Sequence, residues 1–537
     1  MYTLNCKLHT MSKHQHINKP NFKKVIGPTH NPDLDITEHS IKPVPKFHTS
    51  SECLSFIQNF PEVANKLMNY KIVTNFEELK ETILGGISKA EHEFDTEFNT
   101  EIRKNLPKEF EPILNIVDSK REVYKGEFEE RLLNTLDYLF YHMRCGIYCR
   151  IEDNKIKQFI VFVNKDYVNN WSQYLKFEGE NGEIVDMDTY YQLKRKYYRK
   201  ENILPKERWW LNSGVIDNEM SENLWGMHLI SSITDMLYYT SQTTKLKNTS
   251  FFINKRDYPQ LRADLTEPYA FVFPEKTKLP REYLGKGFIP IHSWFSSTTF
   301  SDILVPSTDD WDIISGMVTL AERPIDRYCN IGYEKYKHIK WEDKINRAFF
   351  RGSATMGTTS ESNQRIHLAK LSYEYNGNSV EPKPDSILDS GLVSLNVRDK
   401  IPFHGSPVTF TRRDKIGFPL SKFVPMSEQM RNKYVINTSG HAAASRFMYL
   451  MKMKVLILKI EPIRPEVDEL WFFPLLKAGE DYISIKSDLS DLIEKINWCI
   501  AHDEQCKNIA KSAYKKYRTL LTKSNVLNYY AYCINSF

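Results

Sequence analysis

The second half of the chain alternates regularly between short apolar runs and amphipathic runs, which restricts the possible folds more than any other feature of the sequence. The predicted strands are RAFFRG (347–352), KVLILKI (454–460) and DYISI (481–485). The predicted helices are NQRIHLAKLS (363–372), RFMYLMKM (446–453) and SDLSDLIEKINWCI (487–500). Asn363 is the predicted cap of the first helix, and Ser487 or Asp488 that of the last. This order predicts an α/β fold whose mostly parallel sheet binds ligands at the carboxyl ends of its strands.

The first half of the chain combines helical and strand patterns. Apolar residues recur at helical spacing from about 51 to 140, as in FEERLLNTLDYLFYHM. GIYCRIEDNKIKQFIVFV (146–163) is typical of a β-hairpin that turns at residues 152–155, Glu-Asp-Asn-Lys. A helical run, ENLWGMHLISSITDMLYYTS, then leads into the strand SFFIN. The first half is therefore predicted to begin an α/β pattern of its own.

The length of 537 residues is too great for one ordinary core, so we expect two or more domains. The polar residues 1–50 are predicted to form a loosely ordered leader, and the principal boundary falls near 300–320, around SSTTFSDILVPSTDDWD. The predicted divisions are the leader 1–50, a helical N-terminal region 51–140, α/β regions 141–310 and 311–500, and C-terminal helices 501–537.

Composition and charge disfavour several classes of protein. The chain has 73 basic and 68 acidic residues, a net charge of +5, which argues against a dedicated nucleic-acid-binding protein with a concentrated basic stripe. Its eight cysteines fit free thiols in a reducing compartment, and no Cys-His set at zinc spacing accompanies Cys145 and Cys149. The N-terminus lacks the apolar stretch of a signal peptide, and no run is long enough to span a membrane. We therefore expect a cytoplasmic protein.

The stretch FFRGSATMGTTSESNQR supplies two arginines among small and hydroxyl-bearing residues. A loop at Gly352, Ser353 and Thr355 can bring backbone N–H groups close to an anion, and the following helix adds partial positive charge. Arg351 and Arg365 can form forked hydrogen bonds with a diphosphate. A Walker loop is excluded, because no Gly-Lys-Ser/Thr follows at the required spacing. The stretch taken alone fits an ordinary surface loop equally well.

A second candidate segment is INTSGHAAASRFMYLMKM. His441 and a run of alanines precede Ser445 and Arg446, which stand at the predicted start of a helix. Small residues allow a ligand to approach, and an arginine at a helix start is electrostatically disfavoured unless an anion compensates it. Tight packing of the helix on the sheet, with Arg446 in a surface ion pair, explains the segment equally well.

Two acidic clusters complete the set of candidates. Asp217, Glu219 and Glu222 lie just ahead of a predicted helix, where helix capping is the simpler explanation for them. Asp309 and Asp312 in STDDWD have the spacing of a metal site, although such clusters are also common in turns. We predict no metal there.

Several segments occur in an order that resembles glycosyltransferase family 90, the capsule-associated-protein and protein O-glucosyltransferase family. In the second half these are FFRGSATMGTTSESNQRIHLAKLS, YVINTSGHAAASRFMYLMKMKVLIL and WFFPLLKAGEDYISIKSDLSDLIEKINWC. Upstream, FFINKRDYPQLR resembles the family's Asn-x-Arg-Asp-Tyr-Pro segment, and GIYCRI with FIVFVNKDYVNNW resembles its longer members. The resemblance covers roughly residues 140–535.

This resemblance implies a GT-B-type fold, in which two Rossmann-like lobes enclose a cleft, here with a helical N-terminal extension. It implies metal-independent transfer of a sugar from a UDP-sugar with inversion at the anomeric carbon, and no cofactor. The nucleotide diphosphate would contact Arg351, Gly352, Ser353 and Arg446. Some members carry an arginine directly after the Gly-Ser pair, where this chain has Ala354, so Arg365 is the candidate for the replacement charge.

Transfer also needs a base that takes the proton of the acceptor hydroxyl. The family base is an aspartate ahead of the helix that leads to the Arg-Asp-Tyr-Pro strand, and Asp217 holds that place, with Glu219 and Glu222 as alternatives. The resemblance leaves open whether the sugar is a hexose such as glucose or a pentose such as xylose, and whether the acceptor is a protein or a glycan. A cytosolic acceptor fits a bacterial or large-virus enzyme, in the latter case in host cytoplasm. A non-catalytic sugar- or polyanion-binding protein derived from such an enzyme is the alternative.

Four further residues have two interpretations each. Arg256 and Asp257 would either contact the donor or form an internal pair that fixes the turn before Pro259. Phe472 and Phe473 would lie near the nucleotide or, more commonly for such aromatics, pack in the core.

Overall fold

The computed structural model describes residues 70–87, 97–124, 126–164, 174–197, 224–315, 336–355, 363–395, 399–465 and 469–537. The strands of the first half are β1 (Tyr70–Val73), β2 (Cys145–Glu152), β3 (Lys155–Val163), β4 (Phe177–Glu178), β5 (Ile184–Val185), β6 (Thr249–Ile253), β7 (Ile291–Ser293) and β8 (Ile303–Leu304). Those of the second half are β9 (Ile345–Ala354), β10 (Leu388–Leu395), β11 (Asn432–Asn437), β12 (Leu456–Ile460) and β13 (Ile483–Ile485).

Helices surround both groups of strands. The first half contains α1 (Phe76–Leu84), α2 (Glu97–Asn105), α3 (Glu111–Ser119), α4 (Phe128–Asp137), α5 (Met187–Tyr197), α6 (Leu224–Thr243) and α7 (Thr308–Ser315). The second half contains α8 (Gln364–Tyr375), α9 (Arg413–Ile416), α10 (Phe447–Lys452), α11 (Leu492–Ala501), α12 (Asp503–Thr519) and α13 (Lys523–Asn535). None of the described helices has both the length and the apolar character that crossing a membrane requires.

The first sheet is mixed and has the strand order β1-β3-β2-β6-β7-β8. β2 pairs antiparallel with both β3 and β6, whereas the β1–β3, β6–β7 and β7–β8 pairs are parallel. The central strands are apolar on both faces, as expected for strands with helices on either side. The hairpin prediction is confirmed: Asp153 and Asn154 form the turn with φ of 52° and 58°, the left-handed conformation that tight hairpins need.

The second sheet is entirely parallel, with the order β10-β9-β11-β12-β13. The first of its strands in sequence, β9, lies between the second and the third, so the chain winds outward from β9 in two directions. This is the topology of a doubly wound, Rossmann-like sheet, and its switch point lies where β9 meets β11. The predicted α/β class and parallel sheet are confirmed.

One apolar cluster joins the two halves of the chain. It includes strand residues such as Ile147 and Phe252 of the first sheet, and also Trp471 and Tyr529 from the second half. The helix α13, which follows the second sheet in sequence, packs against α6 and α2 of the first half. There the Tyr529 hydroxyl donates to the Leu304 carbonyl at 2.6 Å, and the Thr244 hydroxyl donates to Asn528 Oδ1 at 2.8 Å.

Two local predictions need correction. The region 51–140 is not helical throughout, because Tyr70–Val73 forms β1 and extends the first sheet beside β3. The predicted caps Ser487 and Asp488 are also wrong, because α11 begins at Leu492 with Asp491 as the preceding residue. The side chain of Asp488 instead accepts from the Ser490 N–H at 3.0 Å, and Leu489 has a left-handed φ of 63°. These residues make a turn and so delay the helix. The limits of the domains stay a prediction.

Candidate active site

Most of the predicted donor-binding residues lie at the carboxyl ends of β9 and β11. β9 ends at Ala354 and β11 at Asn437, and the two strands are neighbours in the parallel sheet. In doubly wound sheets, ligands bind at the carboxyl ends of the two strands that flank the switch point. In this sheet those two strands are β9 and β11. The order of the strands in the sheet therefore brings residues 351–355 and 438–446 together, although they are far apart in the chain.

Two arginines, one in α8 and one directly before α10, approach the same aromatic ring. The guanidinium carbon of Arg446 lies 5.1 Å from the centre of the Phe350 ring, and that of Arg365 lies 5.9 Å from it. Arg446 Nη1 also donates to the Arg351 carbonyl at 3.2 Å. Phe350, which the sequence prediction treats only as a strand residue, thus contributes a ring beside two cations.

Gly352 makes this arrangement possible. A Cβ atom at this position would lie 2.7 Å from the Phe350 ring and 3.3 Å from Arg446 Nη2. Any larger residue would therefore push the ring or the Arg446 guanidinium away from the strand. Close approach to a neighbouring side chain is thus the structural reason for the glycine in the Arg-Gly-Ser motif.

Arg365 ties the ends of the two strands together. It lies in the first turn of α8, whose predicted cap Asn363 is confirmed, because its side chain accepts from the N–H groups of residues 365 and 366. The Arg365 guanidinium donates to the carbonyls of Ser439 at 2.9 Å, Thr438 at 3.1 Å and Ser353 at 3.2 Å. It therefore brings a positive charge to the crevice between β9 and β11.

Thr355 and Gly440 line the same crevice. Thr355 Oγ1 and Arg365 Nη2 each lie 3.5 Å from the position that a Cβ of residue 440 would occupy. Thr355 is buried, and its hydroxyl finds no hydrogen-bond partner among the described residues. A buried hydroxyl without a partner carries a free-energy cost that a ligand acceptor group would relieve. His441 and Ser445 are half-buried in the connection that leads from β11 to Arg446 and α10.

Arg351 lies on the other side of β9. Its Nη2 forms an ion pair with Asp389 Oδ1 of β10 at 2.7 Å, and its Nη1 donates to the Asp389 carbonyl at 3.1 Å. Nε donates to the Lys422 carbonyl at 3.3 Å, and the guanidinium lies 4.6 Å from the centre of the Phe349 ring. Residues 351 and 352 point to opposite faces because side chains alternate along a strand. The structure therefore brings Arg365 and Arg446 together and gives Arg351 a separate set of contacts.

Ala354 and Ser353 complete the end of β9. The Ala354 side chain is fully buried in an apolar cluster with Ile366, Ala369, Leu392 and Ile416. A charged side chain at this position would face that apolar cluster. The hydroxyls of Ser353 and Ser394 of β10 are hydrogen-bonded to each other.

The remaining predicted residues have mixed outcomes. Asp217, Glu219 and Glu222 lie outside the described residues. Arg256 donates to the Met143 carbonyl at 2.7 Å and the Tyr269 hydroxyl at 3.4 Å, so these contacts fix the strand end without using Asp257. Phe472 is fully buried in the core, as the common interpretation has it, whereas Phe473 is half-buried beside Phe447. Within the described ranges, no three His, Cys, Asp or Glu side chains are grouped so that they could hold a metal ion.

A buried carboxylate, Asp302, fixes the backbone that follows Arg256. Asp302 accepts from the N–H groups of Gln260 and Leu261, each at 2.8 Å, and from the Ser293 hydroxyl at 2.6 Å. Burial raises the pKa of Asp302, and burial also lowers the pKa of the neighbouring Lys120 to about 8. This network joins β7 to the Arg-Asp-Tyr-Pro segment and holds the latter rigid.

The profile of glycosyl transferase family 90 matches residues 226–537, more than half of the chain and the whole of the site described above. The chain belongs to glycosyl transferase family 90. The predicted family resemblance is thereby confirmed, and glycosyl transfer is the chemistry of this family.

Proteins similar to this chain come from viruses and from animals. The chain is 28% identical over 418 residues to Uncharacterized protein 035R of Invertebrate iridescent virus 3, covering 75% of this chain and 36% of the viral protein. Uncharacterized protein 179R of Invertebrate iridescent virus 6 is 30% identical over 439 residues, covering 74% of this chain and 36% of that protein. Protein O-glucosyltransferase 2 of Danio rerio is 27% identical over 318 residues, covering 59% of this chain and 53% of the enzyme. The chain thus spans about a third to a half of these relatives.

Proposed function

We propose that this family 90 protein transfers a sugar from a UDP-sugar to a hydroxyl group of a protein or glycan, with inversion at the anomeric carbon and without a metal ion. The observation that carries the proposal is the convergence of Arg365 and Arg446 at the carboxyl ends of β9 and β11, beside Phe350. The relatives named as protein O-glucosyltransferases favour glucose as the sugar and a protein as the acceptor. Xylose and a glycan acceptor fit the same site.

The proposed diphosphate position follows from charge and from space. Two guanidinium groups and the first turn of α8 supply positive potential at one end of the crevice. Gly352 lets Arg446 approach the strand, Gly440 lets Arg365 and Thr355 approach the segment after β11, and the buried Thr355 hydroxyl offers the ligand a hydrogen bond. A departing diphosphate gains negative charge in the transition state, so cations fixed in advance at this position would accelerate the reaction.

The proposed mechanism is a single displacement. A carboxylate, Asp217 in our assignment, takes the proton of the acceptor hydroxyl as its oxygen attacks C1 of the sugar. The bond between C1 and the diphosphate oxygen breaks on the opposite side, so the configuration at C1 inverts. Arg365 and Arg446 stabilise the UDP that leaves. Glu219 and Glu222 lie near enough in sequence to serve as the base instead of Asp217.

A GT-B arrangement is part of this proposal. Its support is the presence of two sheets, of which the second is doubly wound, and the return of α13 from the second sheet to the helices of the first. In such an arrangement the acceptor and the base come from the first lobe and the nucleotide from the second. The reacting atoms would then meet between the lobes.

The function is tested by a panel of UDP- and GDP-sugars followed by thermal denaturation and a transfer assay. A ligand that binds only the folded protein at 100 times its Kd stabilises it by about 2.7 kcal/mol. We expect UDP and a UDP-hexose or UDP-pentose to raise Tm, with chelator leaving turnover unchanged. A rise in Tm without hydrolysis or transfer of any donor would indicate the non-catalytic binding protein. Strict dependence on Mn²⁺ would direct attention to Asp309 and Asp312.

Replacing Arg446 with glutamine is expected to weaken UDP binding by about 10- to 100-fold, because one charge-assisted hydrogen bond contributes about 1.5–3 kcal/mol. Titration calorimetry with UDP measures the change. The matched control is Arg431→Gln, an exposed arginine just before the amino end of β11. Equal UDP affinity in the Arg446 variant and the control would remove Arg446 from the site.

A further inference from the structure

We propose that Lys400 is a third cation of the nucleotide-diphosphate site and that it supplies the positive charge that some family members place directly after the Gly-Ser pair. The inference rests on the proposed function, because it requires a diphosphate at the end of β9. Sequence patterns give no hint of it, since Lys400 lies 46 residues beyond Ala354 in a segment without a motif.

The position of the Lys400 ammonium is the first argument. Lys400 Nζ donates to the Ala354 carbonyl at 3.0 Å, and the side chain is buried. On the preceding residue, the Ser353 carbonyl accepts from Arg365 at 3.2 Å. Successive carbonyls of a strand point to opposite sides, so Arg365 approaches the end of β9 from the β11 side and Lys400 from the β10 side. The two cations thus bind successive carbonyls at the carboxyl end of β9, immediately before Thr355.

The backbone of Lys400 is itself fixed. Its N–H donates to the Thr409 carbonyl at 2.8 Å, and its carbonyl accepts from the Thr409 N–H at 2.9 Å. A buried lysine loses side-chain freedom and solvation, and both losses oppose folding. A fixed backbone and a buried ammonium together make a preformed cation, which is the property that phosphate recognition requires.

The residue before Lys400 anchors the segment to the first half of the chain. Asp399 accepts hydrogen bonds from the hydroxyls of Tyr190 at 2.6 Å and Tyr191 at 2.8 Å, and it pairs with Lys194 Nζ at 2.8 Å. All of these groups are buried, and the three donors belong to α5. The Asp399 carboxylate therefore receives its hydrogen bonds and its ion pair from side chains of α5. It fixes the backbone directly before Lys400.

A second anchor lies on the other side of Lys400. Arg464 donates to the Ile401 carbonyl at 2.8 Å and to the Pro402 carbonyl. The same guanidinium donates to the Tyr258 hydroxyl at 2.8 Å, which belongs to the Arg-Asp-Tyr-Pro segment. The segment of Lys400 is thus held on one side by α5 and on the other by Arg464, which links it to Tyr258 of the first half. Asp399 and Arg464 are positioning residues, whereas Lys400 would touch the ligand.

The test compares three probes that differ only in phosphate: uridine, UMP and UDP, each titrated against the full chain. In Lys400→Gln we expect UDP affinity to fall by about 10- to 100-fold while uridine affinity stays within about twofold of the unmodified protein. Lys400→Arg should restore most of the UDP affinity. A merely structural lysine would lower the affinities for uridine and UDP together, and would lower Tm as well.

A milder variant tests the positioning role. Tyr191→Phe removes one hydrogen bond to Asp399 and is expected to weaken UDP binding by about threefold in the unmodified background. In the Lys400→Gln background the same change should have no effect on UDP affinity, because the charge that it positions is gone. Equal losses in both backgrounds would contradict the positioning role.

The outcomes separate this inference from the function on which it rests. If the unmodified protein binds none of the three probes, the uridine-nucleotide function fails. If it binds UDP and Lys400→Gln binds UDP equally well, the function stands and the role of Lys400 is wrong.

Discussion

Replacing Asp217 with asparagine is expected to reduce sugar transfer by about 10²- to 10⁴-fold while UDP affinity stays unchanged. A general base contributes a factor of this size, because without it the acceptor hydroxyl must attack while it still carries its proton. The amide keeps the size of the carboxylate but cannot take the proton. Initial rates of transfer at saturating donor measure the loss, and titration with UDP confirms that the nucleotide site is intact.

The neighbouring carboxylates are the matched controls. Glu219→Gln and Glu222→Gln carry the same change of charge within the same acidic cluster, and we expect each to keep activity within about threefold of the unmodified protein. Full activity of Asp217→Asn, together with a large loss in one glutamate variant, would transfer the role of base to that glutamate.

Replacing Arg351 with leucine is expected to lower the free energy of unfolding by about 3–5 kcal/mol. The Arg351–Asp389 pair is buried, with side chains 8% and 10% exposed, and removal of Arg351 leaves Asp389 with only the longer ion pair to Arg347 at 4.0 Å. The variant should therefore lose Tm even in the absence of nucleotide. Denaturant unfolding of the unliganded protein measures this effect.

The double variant Arg351→Leu/Asp389→Leu separates a structural role from a phosphate-binding role. It removes both charges, so most of the lost stability should return, because apolar residues often replace a buried ion pair without loss. Its UDP affinity should then be close to that of the unmodified protein. Restored stability with a more than tenfold loss of UDP affinity would show that Arg351 contacts the donor after all.

Three of the five strands of the second sheet, β9, β12 and β13, were predictable because their signals are local, whereas β10 and β11 were not predicted. Apolar runs such as that of β12 and a capping residue such as Asn363 act within a few residues of the chain. The hairpin turn at Asp153 and Asn154 is local in the same sense. The missed strand β1 is four residues long and its pairing with β3 depends on distant residues, so its sequence alone carries little information.

The different contacts of Arg351, Arg365 and Arg446 were not predictable from the sequence, because they depend on where β9 ends and on what packs beside it. The sequence predicts that the strand ends at Gly352 in a loop with Ser353 and Thr355, and that Arg351 and Arg365 can bind the same diphosphate. The strand instead continues to Ala354, so alternation directs Arg351 toward Asp389 while Gly352 faces Arg446. Arg365 and Lys400 reach the site only through the packing of α8 and the segment after β10, which no periodicity encodes.

The helix α13 imposes an order on the assembly of the chain during synthesis. Its Tyr529 and Asn528 complete contacts with Leu304 and Thr244, residues that leave the ribosome long before it. The apolar surface that α13 covers on the first half must therefore stay open until β9–β13 have been made. Such a surface is a target for chaperones and for aggregation, so the yield of folded protein should depend on how fast the second half is translated.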